Sequence, residues 1–534
     1  MRIEDVRVTG LRNLQDFSVH FEDSQFTSVL IGENGTGKSN LLEAIVRIFR
    51  DLDLGERPDF GFEITYHCRG QRVRVIGTPG TRQTIYVGPA AAEKRLTWKA
   101  FNADKEELLP KYVFAYYSGP STRMQHYFDR HQKIYYDALL RNTSGEAVPI
   151  RRLFYCQPEH SRWVLLAYFL HGTEPPEFLH RYFEIDAFDS ALLVLRKPEW
   201  APQGTPSGNA ATLGDQRFWW AKGTVKSFLQ RLWDQSMAPI YAIEEYVPDY
   251  RAHSIREERL YLFLPGVKAL QKLNTKYDTE AALFAALEST EISQLVRDVR
   301  VRVIRDGEPI YFSEMSEGEQ QLLTVVGLMQ FTRHEESLFL LDEPDTHLNP
   351  MWKLRYLTEL ARQSGLLAQD GDVDGSDSWL DQTSQLILTT HDPLTIAGLK
   401  RMQVQIFERT SNGKVVTRIP DEDPQGMGVA GVLIQMFGLP STLDTITQGK
   451  IDERNRLSRI SERTQTEEAA FQSLTSELNM LGLVYEARDP EYREYLKALH
   501  AWEEERRTRV EAVSPEEKDE HVRAILDRLM EQNS

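Results

Sequence analysis

The spacing of apolar positions along the chain predicts an α/β protein. Residues 26–32, FTSVLIG, are apolar almost throughout, which is typical of a strand buried on both faces of a sheet. Apolar residues then recur at helical spacing between Leu41 and Phe49, so a strand, a loop and a helix follow one another. Between Phe60 and Trp98 apolar and polar residues alternate and turn residues interrupt them, which predicts an antiparallel sheet that flanks the first one.

The middle of the chain has mostly helical spacing, as in WVLLAYFLHG, TVKSFLQRLW and LYLFLPGVKALQKL. No heptad repeat is sustained there, so we expect a compact helical insert and no long coiled-coil arms. A hairpin is predicted around Asp306 and Gly307, and the segments SLFLLDE and LILTTH predict two more strands that alternate with helices. The predicted domains are the N-terminal part of one α/β domain at 1–160, the helical insert at 161–298, the C-terminal part of that domain at 299–440, and a charged helical tail at 441–534.

Composition narrows the class of protein. The chain has 534 residues, of which 41% are hydrophobic, so it is no disordered, collagenous or disulfide-stapled chain. Its 63 Lys+Arg and 80 Asp+Glu leave a net charge of −17, which argues against non-specific coating of DNA. Two cysteines, Cys68 and Cys156, are too few for a disulfide framework. Since no apolar run is long enough to span a membrane, we expect a cytoplasmic protein without a membrane partner.

A phosphate-binding loop follows the first buried strand. The sequence GENGTGKS fits the pattern of such loops, and the helix that begins directly after it can direct its backbone N–H groups at phosphate oxygens. In such a loop the lysine, here Lys38, reaches the β- and γ-phosphates, and the following Ser39 binds Mg²⁺. ATP and Mg²⁺ are therefore the expected cofactors. The candidate residues that contact the nucleotide are Gly32, Glu33, Asn34, Gly35, Thr36, Gly37, Lys38, Ser39 and Asn40.

Two adjacent carboxylates end the apolar segment SLFLLDE. Asp342 at the end of a buried strand is placed to hold Mg²⁺, and Glu343 is placed to activate the attacking water. A further helix N-terminus, in SEGEQQ, carries Ser316 and Gly318 and can bind a phosphate. Because one loop already binds the phosphates within a subunit, this second phosphate site implies a second subunit.

These motifs together resemble the ATP-binding-cassette ATPases, specifically the SMC/RecF-like branch. The resemblance implies an α/β head with a mixed central sheet and a flanking antiparallel sheet. It also implies that two heads of a homodimer, or of a larger even-numbered oligomer, sandwich ATP between the phosphate loop of one subunit and the signature of the other. Ser316, Gly318 and Glu319 match that signature, PDTHLNP at 344–350 matches the D-loop, and His391 matches the switch histidine that contacts the γ-phosphate.

The residues that complete the nucleotide site are less sharply defined by the sequence than the phosphate loop. The family has a glutamine that senses Mg²⁺ and the attacking water, and Gln157, with a predicted strand before it and a helix after it, is the first candidate. Gln125 is the alternative. Arg12 and Asn13 follow the first strand, where the resemblance places residues close to the nucleotide.

A finer resemblance is to compact bacterial anti-phage ATPases of the PtuA type in Septu and retron-linked systems, carried by FYCQPEHSRWVLLAYF, DEPDTHLNP and GVAGVLIQMFGLPSTLD. It implies a separate effector, a nuclease, that the ATPase controls. The alternative is a repair-type ATPase clamp, with DNA or RNA as the partner. The acidic segment 370–381 follows the spacing of a calcium loop, but it lacks the final Glu and an exiting helix, so we favour a surface loop.

Overall fold

The computed structural model describes residues 1–481, except for 23–24, 120–121, 144–147, 171–176, 209–211, 248, 252, 276, 278, 333–334, 364–383 and 461. The chain divides into two compact units, Met1–Phe437 and Gly438–Ser534. The described residues of the first unit form three sheets and include all of the candidate site residues. The acidic segment 370–381 lies outside the described residues.

The central sheet of the first unit has seven strands. Its order is β18-β17-β3-β16-β15-β8-β9, and every neighbouring pair is parallel except β17 and β18. This mixed sheet confirms the predicted fold class. Its strands are β3 (Thr27–Gly32), β8 (Tyr112–Tyr117), β9 (Leu153–Tyr155), β15 (Ser337–Asp342), β16 (Gln385–Thr389), β17 (Val404–Arg409) and β18 (Val415–Arg418).

The central strands are apolar without alternation because both of their faces are covered. In β15, Leu338 and Leu340 join the apolar cluster on one face of the sheet, whereas Phe339 and Leu341 join the cluster on the other face. All six residues of β15 are buried. Tyr112, Phe114 and Tyr116 of β8 are buried in the same way and belong to the core.

The predicted antiparallel sheet near the N-terminus is present. Its order is β2-β1-β4-β5-β6-β7, with antiparallel pairing throughout. The strands are β1 (Arg2–Thr9), β2 (Phe17–His20), β4 (Gly61–Cys68), β5 (Gln71–Gly77), β6 (Thr84–Val87) and β7 (Lys94–Leu96).

The prediction of a mostly helical insert at 161–298 is wrong in one respect, because the insert contains long strands as well as helices. The residues LYLFL belong to β12, a strand of a second antiparallel sheet with the order β11-β12-β10-β13-β14. In β12, Leu260, Leu262 and Leu264 are buried and point to one face, so the true period is two residues, and short apolar runs of this kind fit both periods. The predicted hairpin at Asp306 and Gly307 is confirmed. The strands are β10 (Ile185–Arg196), β11 (Met237–Tyr246), β12 (Ile255–Leu264), β13 (Val296–Arg305) and β14 (Glu308–Tyr311).

The predicted helices after the phosphate loop, in WVLLAYFLHG and in TVKSFLQRLW are present. The helix α1 (Lys38–Leu54) follows the phosphate loop directly and is buried along most of its length. The helices are α1 (Lys38–Leu54), α2 (Trp98–Ala103), α3 (Lys105–Leu108), α4 (Asp129–Arg141), α5 (His160–Tyr168), α6 (Glu177–Phe183), α7 (Gly223–Gln235), α8 (Val267–Gln271), α9 (Glu280–Ile292), α10 (Glu317–Phe331), α11 (Pro350–Gln363), α12 (Pro393–Ile396) and α13 (Gly428–Gln435).

The second unit contains two described helices, α14 (Thr445–Ser458) and α15 (Gln465–Met480). The Lys450 ammonium lies 2.7 Å from the Glu477 carboxylate and joins the two helices. The densest charged run, AWEEERRTRVEA, lies outside the described residues. Within the described part of the chain, no helix is both long enough and apolar enough to cross a membrane.

Candidate functional site

The candidate phosphate loop connects β3 to α1. Gly32, Gly35 and Gly37 have φ angles of +135°, +75° and +104°, which residues with a side chain rarely adopt. A Cβ atom at Gly32 would lie 2.3 Å from the carbonyl oxygen of Phe407, so the neighbouring strand also requires glycine there. The loop therefore has the backbone conformation that its glycines predict, and α1 begins at Lys38.

Lys38 is folded onto its own loop. Its ammonium donates hydrogen bonds to the carbonyl oxygens of Gly32 at 2.8 Å and Glu33 at 3.1 Å. Burial lowers the pKa of Lys38 to about 8, although the carboxylates of Glu343 and Asp342 oppose that shift. A buried cation held by carbonyl oxygens, beside two carboxylates, can exchange these partners for phosphate oxygens.

Asp342 ends β15 next to the phosphate loop. Its Oδ1 accepts hydrogen bonds from the hydroxyls of Ser39, at 2.9 Å, and Thr389, at 2.6 Å. Its Oδ2 has no hydrogen-bond partner among the described residues, and the residue is fully buried. Burial raises the pKa of Asp342 despite these two hydrogen bonds. A buried carboxylate oxygen without a partner, beside a serine hydroxyl, suits a divalent cation that prefers oxygen ligands.

Glu343 follows Asp342 with a left-handed backbone, φ +53°. Its N–H donates to the Thr389 hydroxyl at 3.0 Å, which fixes the turn at the end of the strand. Its Oε1 lies 3.2 Å from Nε2 of His391, and both side chains are about one third exposed, 38% and 35%. The hydrogen bond from His391 lowers the pKa of Glu343. Glu343 is therefore an ionised, accessible carboxylate held by a histidine, which is a geometry suited to a general base.

Arg12, Asn13 and Asn40 lie together beside the phosphate loop. Asn13 Nδ2 donates to the Gly35 carbonyl oxygen at 2.8 Å, and Asn40 Nδ2 donates to Asn13 Oδ1 at 2.6 Å. Arg12 donates to Asn40 Oδ1 at 3.0 Å. The structure thus places Asn13 against the phosphate loop and links Arg12 to Asn13 through Asn40, although the role of Arg12 and Asn13 in binding a nucleotide stays a prediction.

The sequence analysis missed Glu43, which organises this corner. The Glu43 carboxylate is 1% exposed and accepts hydrogen bonds from Arg12 at 2.8 Å and from the Tyr127 hydroxyl. Arg123 donates to Glu43 at 3.3 Å and to Asn40 at 2.8 Å. A carboxylate on the apolar face of α1, in LLEAIVRIF, is the signal that could have revealed Glu43.

The signature segment begins α10. Ser316 is the N-cap residue, and Glu319 accepts hydrogen bonds from the Ser316 N–H and hydroxyl, both at 2.8 Å. A Cβ atom at Gly318 would lie 2.5 Å from the carbonyl oxygen of His347, so glycine is needed where the D-loop segment crosses the helix. Gln321 also donates to the carbonyl oxygen of Pro344. The signature helix and the D-loop segment therefore form one packed unit within the subunit.

The two candidate sensor glutamines, Gln125 and Gln157, line the same cavity of about 680 Å³, together with Gln320 and His347. The strand beside β15 is β8, which precedes Gln125, whereas Gln157 follows β9 at the edge of the sheet. The structure brings both glutamines to the signature side of the site and does not choose between them.

The side chains outside Ser39 and Asp342 offer no further candidate metal site in the part of the chain that the structure describes. Among the described residues, no cluster of three or more His, Cys, Asp and Glu side chains could hold a metal ion. Cys68 and Cys156 are buried and not bonded to each other. The pair Ser39 and Asp342 is therefore the predicted Mg²⁺ position that the geometry supports, since phosphate oxygens supply further ligands for this ion.

Comparisons with known proteins agree with this arrangement. The family model described as "AAA ATPase domain" matches residues 1–106, and the model described as "AAA domain, putative AbiEii toxin, Type IV TA system" matches residues 204–397. The first match contains the phosphate loop, and the second contains the signature segment, Asp342 and His391. Both halves of the site therefore lie within residues that these two models match. No curated protein matches the chain.

Solved structures of SMC heads are similar to the chain at low identity. The SMC head domain from Thermotoga maritima is 12% identical, with 78% of this chain and 99% of that chain covered and a TM-score of 0.32. A SmcHead bound to the C-winged helix domain of ScpA is 12% identical, with 78% and 98% covered and a TM-score of 0.33. An Smc head from Pyrococcus furiosus, bound to the C-terminal domain of ScpA, is 11% identical, with 78% and 96% covered and a TM-score of 0.32.

Proposed function

We propose that the chain is an SMC-like ATPase that hydrolyses ATP to ADP and phosphate at the site around the phosphate loop. The observation that carries the proposal is the joining of three segments distant in sequence at one edge of the central sheet. The hydroxyls of Ser39 and Thr389 both donate hydrogen bonds to Asp342. Next to it, Glu343 contacts His391. A phosphate loop, a buried carboxylate and an accessible base thus meet where a triphosphate bound by the loop would end.

Two oxygen-bearing side chains beside the phosphate loop are suited to bind Mg²⁺. Ser39 Oγ and Asp342 would hold the ion, because Asp342 Oδ2 is a buried oxygen without a protein partner. When bound, Mg²⁺ neutralises charge on the phosphates. The loop N–H groups and Lys38 bind and orient the β- and γ-phosphates, and the Lys38 ammonium leaves the carbonyl oxygens of Gly32 and Glu33 to do so.

Glu343 accepts the proton of the attacking water in this proposal. Its lowered pKa keeps it ionised at neutral pH, and the Thr389 hydroxyl fixes its backbone. His391 holds the Glu343 carboxylate, and in this proposal it also contacts the γ-phosphate. Gln157, or Gln125 in its place, would orient the water and the metal from the cavity that both line.

Replacing Glu343 with Gln tests this role. We expect ATP binding to remain and hydrolysis to fall by about 10²- to 10⁴-fold, the usual contribution of a general base. Glu408→Gln is the matched control, because Glu408 is a half-exposed carboxylate that pairs with Arg418 on another strand. Equal turnover in wild type and Glu343→Gln would exclude Glu343 as the base.

Each ATP-binding site is completed by a second copy of the chain in this proposal. Ser316, Gly318 and Glu319 form a helix N-terminus, and in the SMC-like arrangement this end faces the γ-phosphate held by the other subunit's loop. Homodimers of Lys38→Ala or of Ser316→Arg then contain no working site, whereas a mixed dimer of the two variants contains one. Ser458→Arg on α14 is the control. Activity that does not reappear on mixing would refute the shared site.

The output that we propose is control of a separate effector, a nuclease, in bacterial anti-phage defence. Two features support it: the resemblance of FYCQPEHSRWVLLAYF and DEPDTHLNP to such ATPases, and a match over 204–397 to a model whose name includes a toxin of a toxin–antitoxin system. Purification of the Glu343→Gln variant with ATP and its genomic neighbours tests this output. A nuclease in fixed stoichiometry supports it, and its absence contradicts it.

The second candidate is a repair-type ATPase clamp that closes on DNA. The resemblance of the sequence motifs to the SMC/RecF-like branch favours it. Its distinguishing result is ATP-dependent DNA binding by the purified chain alone, with an affinity that falls steeply with salt concentration. A protein that copurifies with a nuclease and binds no DNA excludes the clamp.

A further inference from the structure

A cavity of about 310 Å³ lies in the first unit and shares no lining residue with the nucleotide site. Leu139 and Leu140 of α4 form one side, Val225 of α7 another, and Trp200 and Trp220 come from the loops between them. This volume is at the lower end of the range for small-molecule pockets, and apolar and aromatic side chains dominate such pockets. The dimensions therefore suit one ligand of about two fused rings.

The Trp200 indole is held in place by a hydrogen bond. Its Nε1 donates to the carbonyl oxygen of Ser293 at 2.7 Å, and Ser293 also lines the cavity. The Ser293 hydroxyl is buried without a hydrogen-bond partner among the described residues. An indole fixed by its nitrogen presents a rigid aromatic surface, which favours planar ligands.

The Trp220 indole reaches the cavity through an unfavourable backbone. Trp219 and Trp220 have φ angles of +49° and +68°, and bulky residues in this region are true outliers. The turn is held closed because the N–H of Trp220 donates to the Asp215 carbonyl oxygen at 2.9 Å. The unfavourable φ angle of Trp219 is explained by the burial of its side chain and by its hydrogen bond to Glu258 at 3.0 Å. Trp220 is only half-buried and lines the cavity, and such strain is concentrated at ligand sites.

A single charge is present in the wall. Among the described lining residues only Lys222 is charged, and within the described part of the chain its ammonium has no ion pair. We propose that this cavity binds a planar aromatic acid, with the ring between the two indole walls and the acidic group at Lys222. This inference goes beyond the ATPase function and does not depend on it.

The structure also connects the cavity to the phosphate loop. Helix α4 carries Leu139 in the cavity wall, and His131, about 12 Å further back along the same helix, lies with Nε2 2.7 Å from Asp53 of α1. At the other end of α4, Asn142 donates to the Thr224 hydroxyl at 3.1 Å, beside the cavity. Helix α4 is thus fastened to the cavity and to the helix that follows the phosphate loop. Within the proposal, occupancy of the cavity changes the affinity for ATP through α4, and this step rests on the proposed function.

The probes are 2-naphthoate and its neutral analogue 2-naphthamide, titrated into the full chain by calorimetry. We expect saturable binding of 2-naphthoate with one site per chain and at least tenfold weaker binding of 2-naphthamide. Lys222→Met should remove that preference, whereas Lys226→Met, one turn further along α7 and outside the cavity wall, should keep it. No binding of 2-naphthoate, or equal binding of both probes, overturns the proposal.

Trp220→Asn separates a ligand contact from a structural role. Asn tolerates the left-handed backbone that Trp220 adopts, so the thermal midpoint should be unchanged or higher while 2-naphthoate binding is lost. A lower midpoint with unchanged binding would mean that Trp220 serves packing and would refute its place in the site.

The effect of cavity occupancy on the nucleotide site, which we attribute to α4, is tested by measuring the Kd of ATP with and without saturating 2-naphthoate. We expect at least a threefold change in the Kd of ATP in wild type and none in His131→Gln, with 2-naphthoate binding equal in both. Equal ATP affinity in the presence and absence of 2-naphthoate refutes the transmission. A chain that binds 2-naphthoate but no ATP refutes the proposed ATPase function and leaves the cavity site standing.

Discussion

Replacing Asp342 with Asn should stabilise the protein in the absence of ligands while abolishing its response to Mg²⁺ and ATP. The carboxylate is completely buried, and only Oδ1 is hydrogen bonded, to the hydroxyls of Ser39 and Thr389. Asn has the same shape and keeps an oxygen for both hydroxyls. The change therefore removes a charge from the interior and leaves the packing unaltered.

The magnitude follows from three contributions. Relieving the burial of a carboxylate gains several kcal/mol. Each of the two hydrogen bonds becomes neutral and loses about 1 kcal/mol, and the new amide nitrogen at the Oδ2 position costs about 1 kcal/mol. The raised pKa of Asp342 shows that burial outweighs its hydrogen bonds. We therefore expect Asp342→Asn to unfold at a higher urea concentration, with a net gain of about 1 kcal/mol.

The pH dependence has a defined sign. Because the folded-state pKa of Asp342 is raised above the unfolded value, the folded state binds the proton more tightly. The corresponding stability is present below the unfolded pKa and is lost as the pH rises through the folded pKa. Asp342→Asn should remove this loss, so the two proteins should differ more at pH 7 than at pH 4.

The assay is urea unfolding of both proteins at several pH values, with and without Mg²⁺ and ATP. Wild type should gain stability with ligand concentration, as required when only the folded state binds, and Asp342→Asn should not. A variant that is less stable than wild type without ligands, or that gains the same stabilisation from Mg²⁺ and ATP, would refute the reasoning about Asp342.

Three further predictions concern the same site. Glu343→Gln should keep ATP binding but reduce phosphate release by about 10²- to 10⁴-fold and increase the dimer fraction in ATP, as measured by light scattering. His391→Ala removes the hydrogen bond that lowers the pKa of Glu343, so the acid limb of the pH–rate profile should move to higher pH. Gly318→Ala should lower the unfolding free energy by about 1–3 kcal/mol, because its Cβ would lie 2.5 Å from the His347 carbonyl oxygen.

Matched controls separate local from general effects for Gly318→Ala and His391→Ala. Gly398→Ala adds the same methyl group where nothing lies within 4 Å, so it should leave the midpoint unchanged. His180→Ala removes a histidine that pairs with Asp186 and should leave the pH–rate profile in place. An unshifted acid limb in His391→Ala would contradict the contact between His391 and Glu343. Equal unfolding midpoints for Gly318→Ala and Gly398→Ala would contradict the close approach of Gly318 to His347.

Local sequence determined much of the site. The glycines at 32, 35 and 37 adopt the left-handed backbone that their pattern predicts, and the lysine and serine after them begin a helix. The strands that end in Asp342 and Thr389 are buried on both faces, so their unbroken apolar runs were sufficient to identify them. These features depend on neighbours within a few residues along the chain, and such neighbours are visible in sequence.

Tertiary structure alone decided the remaining features. In 255–264 the apolar residues fit either period, and pairing with β10 and β11 selected a strand where a helix was expected. Glu43 became part of the site only because Arg12 and Tyr127, distant in sequence, converge on it. The cavity lined by Trp200 and Trp220 likewise combines four separate segments of the chain. Contacts of this kind arise from the packing of whole elements, which residue spacing along one element does not encode.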